Sequence, residues 1–204
     1  MGTAPPADTD SLIQRARSGD VAAIGELLAR HRDRLRRMVE LRMDPRLAGR
    51  ADASDVVQEA IAEAARRMPD YLRQPPMPLY PWLRRLAWQR LLDLHRRHVV
   101  ASRRSVLRER ELEPLLPEQS ARHLANVLAR SASTPSGQLM RKEQRHRVQE
   151  ALLRMKPHDR EMLLLIYLEQ MSMSEAGTEL GISAKAAEMR HLRALERLRR
   201  LLTH

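Results

Sequence analysis

The stretch that decides the fold is Ser172–Arg193, SMSEAGTELGISAKAAEMRHLR. Its spacing predicts a short helix over 174–180, a turn at Gly181, and a second helix from Ser183 to Leu202. Glycine belongs at the turn because a left-handed backbone costs it almost nothing. Ile182 can fill the space between the two helices, and the Ser183 hydroxyl can cap the second one. That helix carries Lys185, Arg190, Arg193, Arg197 and Arg200 outward, with Ala187, Ala194, Leu195 and Leu198 available to face inward. The result is a helix-turn-helix with a basic second helix, a shape that enters the major groove, reads base edges with its early residues and holds phosphates with flanking arginines. Glu188 works against indiscriminate phosphate binding and could accept a hydrogen bond from a cytosine amino group. His191, at an intermediate position, is at least as well placed to pack as to touch DNA. An ordinary helical hairpin with a solvated basic face would share many of these features.

Outward from this motif, almost every periodic segment has a helical period, and nothing alternates as a strand would. Thr9 or Asp10 can cap a first helix running to Ser18. Asp20 can cap a second, with Ile24, Leu27, Leu28, Leu35 and Met38 in a stripe ended by Pro45 and Gly49. A third helix is predicted over 53–68, where Val56, Val57, Ala60, Ile61, Ala64 and Met68 share a face and Pro69 stops the ladder. Residues 74–81 carry four prolines and read as a loop. A fourth helix starts near Pro81 and continues to Val99 through Leu83, Leu86, Ala87, Leu91 and Leu94. Residues 101–137 change texture, with an Arg-rich run, Glu-Pro and Leu-Pro breaks and a Ser/Thr/Gly-rich end, and read as a tether with some nascent helix. Helices resume with Val148, Leu152 and Met155, and another opens at Pro157, capped by Lys156 or a neighbour. The expectation is an all-α protein: one helical domain over 9–100, a flexible linker over 101–137, and a second helical domain over 138–204.

A chain of 204 residues supports two such domains. Its 37 Lys+Arg against 26 Asp+Glu give a net charge of +11, which points to an anionic partner. The absence of cysteine excludes disulfides, thiolate metal sites and Cys nucleophiles. Met1–Asp10 has no basic and apolar runs of a signal peptide, and the longest apolar run, Met162–Leu168, is too short to span a bilayer. A soluble, cytoplasmic protein without membrane association is expected. No phosphate-cradling glycine loop, metal-ligand spacing or nucleophile stands out, so neither a cofactor nor a metal nor catalysis is expected.

Two constellations mark the first domain. Asp52, Asp55, Glu59 and Glu63 form an all-acidic run, the last three at four-residue spacing on one helix face. In a basic protein such a stripe suits a basic protein partner; helix-dipole stabilisation accounts for Asp52 and Asp55 but not for Glu63. The second is aromatic. Tyr71, Tyr80, Trp82 and Trp88 cluster around the proline loop beside Arg84, Arg85, Arg90, Arg96 and Arg97. Aromatics next to arginines hold unstacked single-stranded bases, although Trp82 is better suited to anchoring the loop in the core.

Taken together, these segments resemble the extracytoplasmic-function group of bacterial sigma-70 factors over nearly the whole chain. Asp52-Ala-x-Asp55-Val-Val-Gln58-Glu59 looks like that family's region-two signature. Pro81-Trp82-Leu83-x-Arg85-Leu86-Ala87 followed by Asp93-x-x-Arg96-Arg97 looks like its promoter-melting helix, and Leu180-Gly181-Ile182 through Arg193-Ala194 like its region-four helix-turn-helix. The resemblance implies that Asp52, Asp55, Val56, Gln58, Glu59 and Glu63 dock on core RNA polymerase, at the clamp of the beta-prime subunit, with the beta flap as a second contact. It implies that Tyr80, Arg84, Arg85, Trp88, Gln89, Arg90, Arg96 and Arg97 hold the melted minus-ten strand. Ser183, Lys185, Ala186, Glu188, Met189, Arg190, Arg193 and Arg197 would read the duplex minus-thirty-five element. A monomer when free, and an anti-sigma factor as a further partner, go with the family. Glu188-Met189 stands where Lys-Ser is common, His191-Leu192 where Leu-His is usual, and Ala176-Gly177 where Ile-Ala is usual; the glycine is expected to weaken its helix by up to ~1 kcal/mol.

Two other readings are compatible with parts of the sequence. A helix-turn-helix regulator with a sensing or dimerising domain explains the C-terminal half but not the acidic helix beside the aromatic loop. An interaction protein that mimics a sigma factor would bind polymerase without opening promoters.

Overall fold

The computed structural model describes residues 6–43, 47, 51–97, 118–131 and 138–203. All regular elements among the described residues are helices, and the chain divides into two units, Met1–Ser105 and Val106–His204. The predicted roles of Pro45 and Gly49, the helix end at Val99, and tether residues 101–117 and 132–137 lie outside the described residues.

The first unit consists of α1 (Pro6–Arg17), α2 (Val21–Arg42), α3 (Ala53–Arg73) and α4 (Leu79–His95). Because α1 starts at Pro6, Thr9 and Asp10 lie inside it and are not its cap, contrary to expectation. Asp20 does cap α2: its carboxylate accepts from the Ala23 amide at 3.1 Å and pairs with Arg15 at 2.6 Å. Both partners hold the Asp20 carboxyl below its usual pKa, the amide first. Ala23, Leu27, Leu28, Leu35, Met38 and Val39 of α2 are buried against α1, α3 and α4.

Pro69 does not end α3 as predicted; the helix runs on through it to Arg73. A proline here deprives the Ala65 carbonyl of its helical donor, but Ala65 is exposed and water can serve instead. The extra turn buries Tyr71 and Leu72. That packing offsets the ~3 kcal/mol that an interior proline costs. α4 begins at Leu79 with Pro81 in its first turn, where its missing N–H is not needed.

The second unit consists of α5 (Glu118–Ser131), α6 (Gln138–Arg154), α7 (Pro157–Tyr167), α8 (Met173–Leu180) and α9 (Ala184–Thr203). Residues 118–131, read as tether, form a full helix whose Ala121, Leu124 and Ala125 are buried against α6 and α7. Small alanines let α5 approach closely, and Ala121, Leu124, Ala125 and Leu128 keep the spacing of one helix face; the segment reads as linker because of the Leu-Pro break before it and the Ser/Thr/Gly-rich run after it. Val148, Leu152 and Met155 pack as expected, and Met162–Leu165 of α7 form the centre of the core. Pro157 opens α7, but the Lys156 side chain makes no capping bond.

Candidate nucleic-acid interface

The helix-turn-helix is built from α8, Gly181 and α9. A reciprocal capping box starts α8: the Ser172 hydroxyl accepts from the Glu175 amide at 3.1 Å, and the Glu175 carboxylate accepts from the Ser172 amide at 2.9 Å. The Ser-x-x-Glu spacing is the sequence signature of this box. At the other end Gly181 adopts φ +65°, while Ile182 N–H donates to the Gly177 carbonyl at 2.9 Å. A Cβ on Gly177 would lie 2.8 Å from the Ile182 carbonyl oxygen, so this glycine is what lets the turn fold back over α8. The Ser183 hydroxyl accepts from the Ala186 amide at 3.1 Å, as the sequence predicts.

Ala187, Ala194 and Leu198 are buried, which fixes the rotation of α9. Lys185, Met189, Leu192 and Glu196 then occupy the centre of its outer face, bordered by Ser183, Ala186, Glu188 and Arg193, all exposed. Arg190 is half-buried at the edge of this face. Arg197, expected to contact DNA, is instead tied to Asp159 of α7 at 2.5 Å and braces α9 inside the unit. His191 stacks at a tilt on Tyr167 of α7, ring centroids 5.7 Å apart, and burial lowers its pKa. The interchange of His191 and Leu192 therefore leaves the helix phase unchanged and turns a leucine outward.

In the first unit the α4 residues expected at melted DNA separate into two groups. Arg85, Trp88 and Gln89 share one outward face, which Arg96 continues just beyond the helix. Tyr80 and Arg84 do not: they are 2 % and 4 % exposed, on the core side of α4. The Tyr80 ring lies under the Arg34 guanidinium at 3.4 Å and beside His31, so it cannot stack on a base. Arg90 turns toward α3, 3.6 Å from Glu63, and Arg97 is exposed with its Nε–H donating to the Asp93 carbonyl at 3.3 Å. Trp82 is buried as expected and stacks on Tyr71 at 4.5 Å, while the Tyr71 hydroxyl donates to the Met77 carbonyl at 3.0 Å. Tyr71 thus pins the proline loop to the core, a role that nothing in its spacing announces. Half-buried Trp88, with the Arg42 guanidinium 5.6 Å from its ring, is the one tryptophan or tyrosine of this unit with a partly open face.

The acidic run also separates. Asp52, Asp55, Gln58 and Glu59 are exposed, and Asp52 also caps α3 by accepting from the Ser54 amide at 3.0 Å. Val56 points into the core at 5 % exposure and cannot belong to a docking surface. Glu63, also expected to dock, is only 13 % exposed at its side chain and is held by Arg66, Arg67 and Arg90. Its hydrogen bond with Arg66 is the leading cause of its lowered pKa. No group of residues able to hold a metal occurs among the described residues, and no described helix is long and apolar enough to cross a membrane.

Residues 27–99 match the family model for sigma-70 region 2, and residues 145–198 that for sigma-70 region 4. The RNA polymerase sigma factor CnrH of Cupriavidus metallidurans is 31 % identical over 200 residues, which cover 97 % of this chain and 96 % of that protein. The RNA polymerase sigma factor NccH of Alcaligenes xylosoxydans xylosoxydans is 27 % identical over 197 residues, 97 % of this chain and 96 % of that one. Among solved structures, CnrH in complex with the cytosolic domain of CnrY superposes with a TM-score of 0.52 at 24 % identity, covering 96 % of this chain and 97 % of the other.

Proposed function

The chain belongs to the extracytoplasmic-function group of sigma-70 factors, and from that premise we propose how its two units divide the work of a sigma factor that binds core RNA polymerase and directs it to promoters. The region-2-like unit, residues 9–100, docks on the polymerase and engages the minus-ten element. The region-4-like unit, 138–204, reads the minus-thirty-five element.

The observation that carries the docking assignment is the exposed acidic surface of α3 in a chain of net charge +11. Asp52, Asp55, Gln58 and Glu59 offer carboxylates and an amide to a basic surface, which suits the beta-prime clamp; the beta flap is the second polymerase contact, made by the region-4-like unit. Minus-ten contacts fall to Arg85, Trp88, Gln89 and Arg96, with Arg97 at the edge. Capturing an unpaired base there favours opening by mass action, because only the melted form binds. Nucleotidyl transfer remains with the polymerase, so the chain itself is not catalytic and needs no cofactor. It acts in the cytoplasm, where the polymerase is, as a monomer before assembly. CnrH is known in complex with the cytosolic domain of CnrY, which supports a regulatory anti-sigma partner for this chain as well.

Replacing Asp55 and Glu59 together by lysine tests the docking. Both side chains are exposed, so circular dichroism should be unchanged and melting lowered only slightly, by the loss of Asp55 from the first turn of α3, while co-elution with core polymerase is lost. Retained co-elution would remove α3 as the docking element.

A further inference from the structure

The outer face of α9 is unusual for a helix that reads DNA. At its centre stand two apolar side chains, Met189 at 46 % and Leu192 at 58 % exposure, one turn apart. The burial of Ala187, Ala194 and Leu198 on the opposite side leaves no rotation of α9 that would hide them. Lys185 and Arg193 flank the pair, and Ser183 and Ala186 lie toward the helix start. Apolar side chains in the major groove find one apolar partner, the C5-methyl of thymine. We propose that Met189 and Leu192 read thymine methyl groups, so that the upstream promoter element recognised by this chain carries thymines on neighbouring base pairs. This rests on the assignment of α9 to the minus-thirty-five element.

Spacing supports adjacent thymines. Residues three apart rise ~4.5 Å along a helix, close to the ~3.4 Å step between stacked base pairs. The start of the helix supports DNA over a protein partner: Lys185 stands one turn before the apolar pair and Arg193 beside it, suited to phosphates, while the acids Glu188 and Glu196 lie on the border and one turn beyond; two side chains also fall far short of the ~800 Å² a stable protein contact needs on each side. Glu188, on the other border, keeps that edge away from phosphates and orients the helix with its apolar pair over bases.

The test uses holoenzyme assembled from the full chain and core polymerase. A promoter selected from a random library is rebuilt with deoxyuridine replacing each thymine of the upstream element in turn, which removes only the methyl. Wild-type holoenzyme should lose about four-fold in affinity per critical methyl, the value of burying one such group. Holoenzyme carrying Met189→Ala and Leu192→Ala should bind thymine and uracil duplexes equally. Since both residues are exposed, the variant keeps its fold, checked by its melting curve. Uracil tolerated at every position, a selected element without thymine, or a methyl preference that survives the double substitution would each overturn the proposal. Loss of polymerase binding in the variant with uracil tolerated would overturn it too and point to a protein partner. If wild-type protein selects no promoter, the function assignment itself fails and this inference falls with it.

Discussion

At Gly177 the backbone, not the side chain, sets what the sequence can be. The sequence alone makes this glycine a weakness in α8; the structure makes it a requirement, because Ile182 occupies the space a Cβ would need. Gly177→Ala gains ~1 kcal/mol of helix propensity but forces the turn apart at an overpacking cost of ~1–3 kcal/mol. Denaturant unfolding should show a net loss of up to about 2 kcal/mol in the second unit, and a midpoint that rises would show that the turn can relax. His191 makes a second residue-scale prediction. Its Nε2 is buried without a hydrogen-bond partner, and burial lowers its pKa from 6.5. The folded ring stays neutral while the unfolded one takes up a proton, so its contribution is complete above pH 6.5 and is lost as pH falls from there toward the folded value. His191→Phe should remove that part of the acid sensitivity, visible as a flatter plot of midpoint against pH; an identical slope would exclude His191 as its source. Neither effect was legible beforehand, since both depend on which atoms meet across a turn or between α7 and α9.

Between helices, Glu63 links α3 to Arg90 of α4 at 3.6 Å. With Arg66, Arg67 and Arg90 around it, this carboxylate supports stability that is full above its ordinary pKa of 4.5 and is lost as pH falls through the lowered folded value. Glu63→Gln should lower the melting temperature of the first unit at neutral pH and narrow its gap to wild type in acid; a pH-independent difference would mean that packing, not charge, is at work. The turn at Gly181 marks the end of α8, and helical periodicity is enough to foresee α2, α3, α4 and α9, each with an apolar face. It was enough to find the acidic stripe as well, but not to separate Glu63, turned toward α4, from Asp55 and Glu59, turned to solvent. The same limit hid the burial of Arg84 and of Tyr80, whose ring faces Arg34 and His31 of α2. α5, legible only as nascent helix in a tether, has a clear apolar face of its own, but the proline breaks and the Ser/Thr/Gly-rich run around it point to linker.

For the whole molecule, the net charge of +11 is drawn from arginines and lysines with different uses among the described residues. Arg85 and Arg96 lie on one unit and Lys185 and Arg193 on the other, whereas Arg90 and Arg197 are used internally. Promoter binding by the holoenzyme should therefore weaken with salt, and Lys185→Ala or Arg193→Ala should each reduce the slope of log affinity against log salt by about 1 if it holds a phosphate. Arg197→Ala should leave that slope alone and destabilise the second unit instead. The central claim is that this chain confers promoter choice on the polymerase. It is tested most directly by transcription from a promoter library with purified core polymerase, with and without the protein. The account predicts new, protein-dependent start sites that share two spaced upstream elements; polymerase binding with no new starts would contradict it and leave a protein that only imitates a sigma factor.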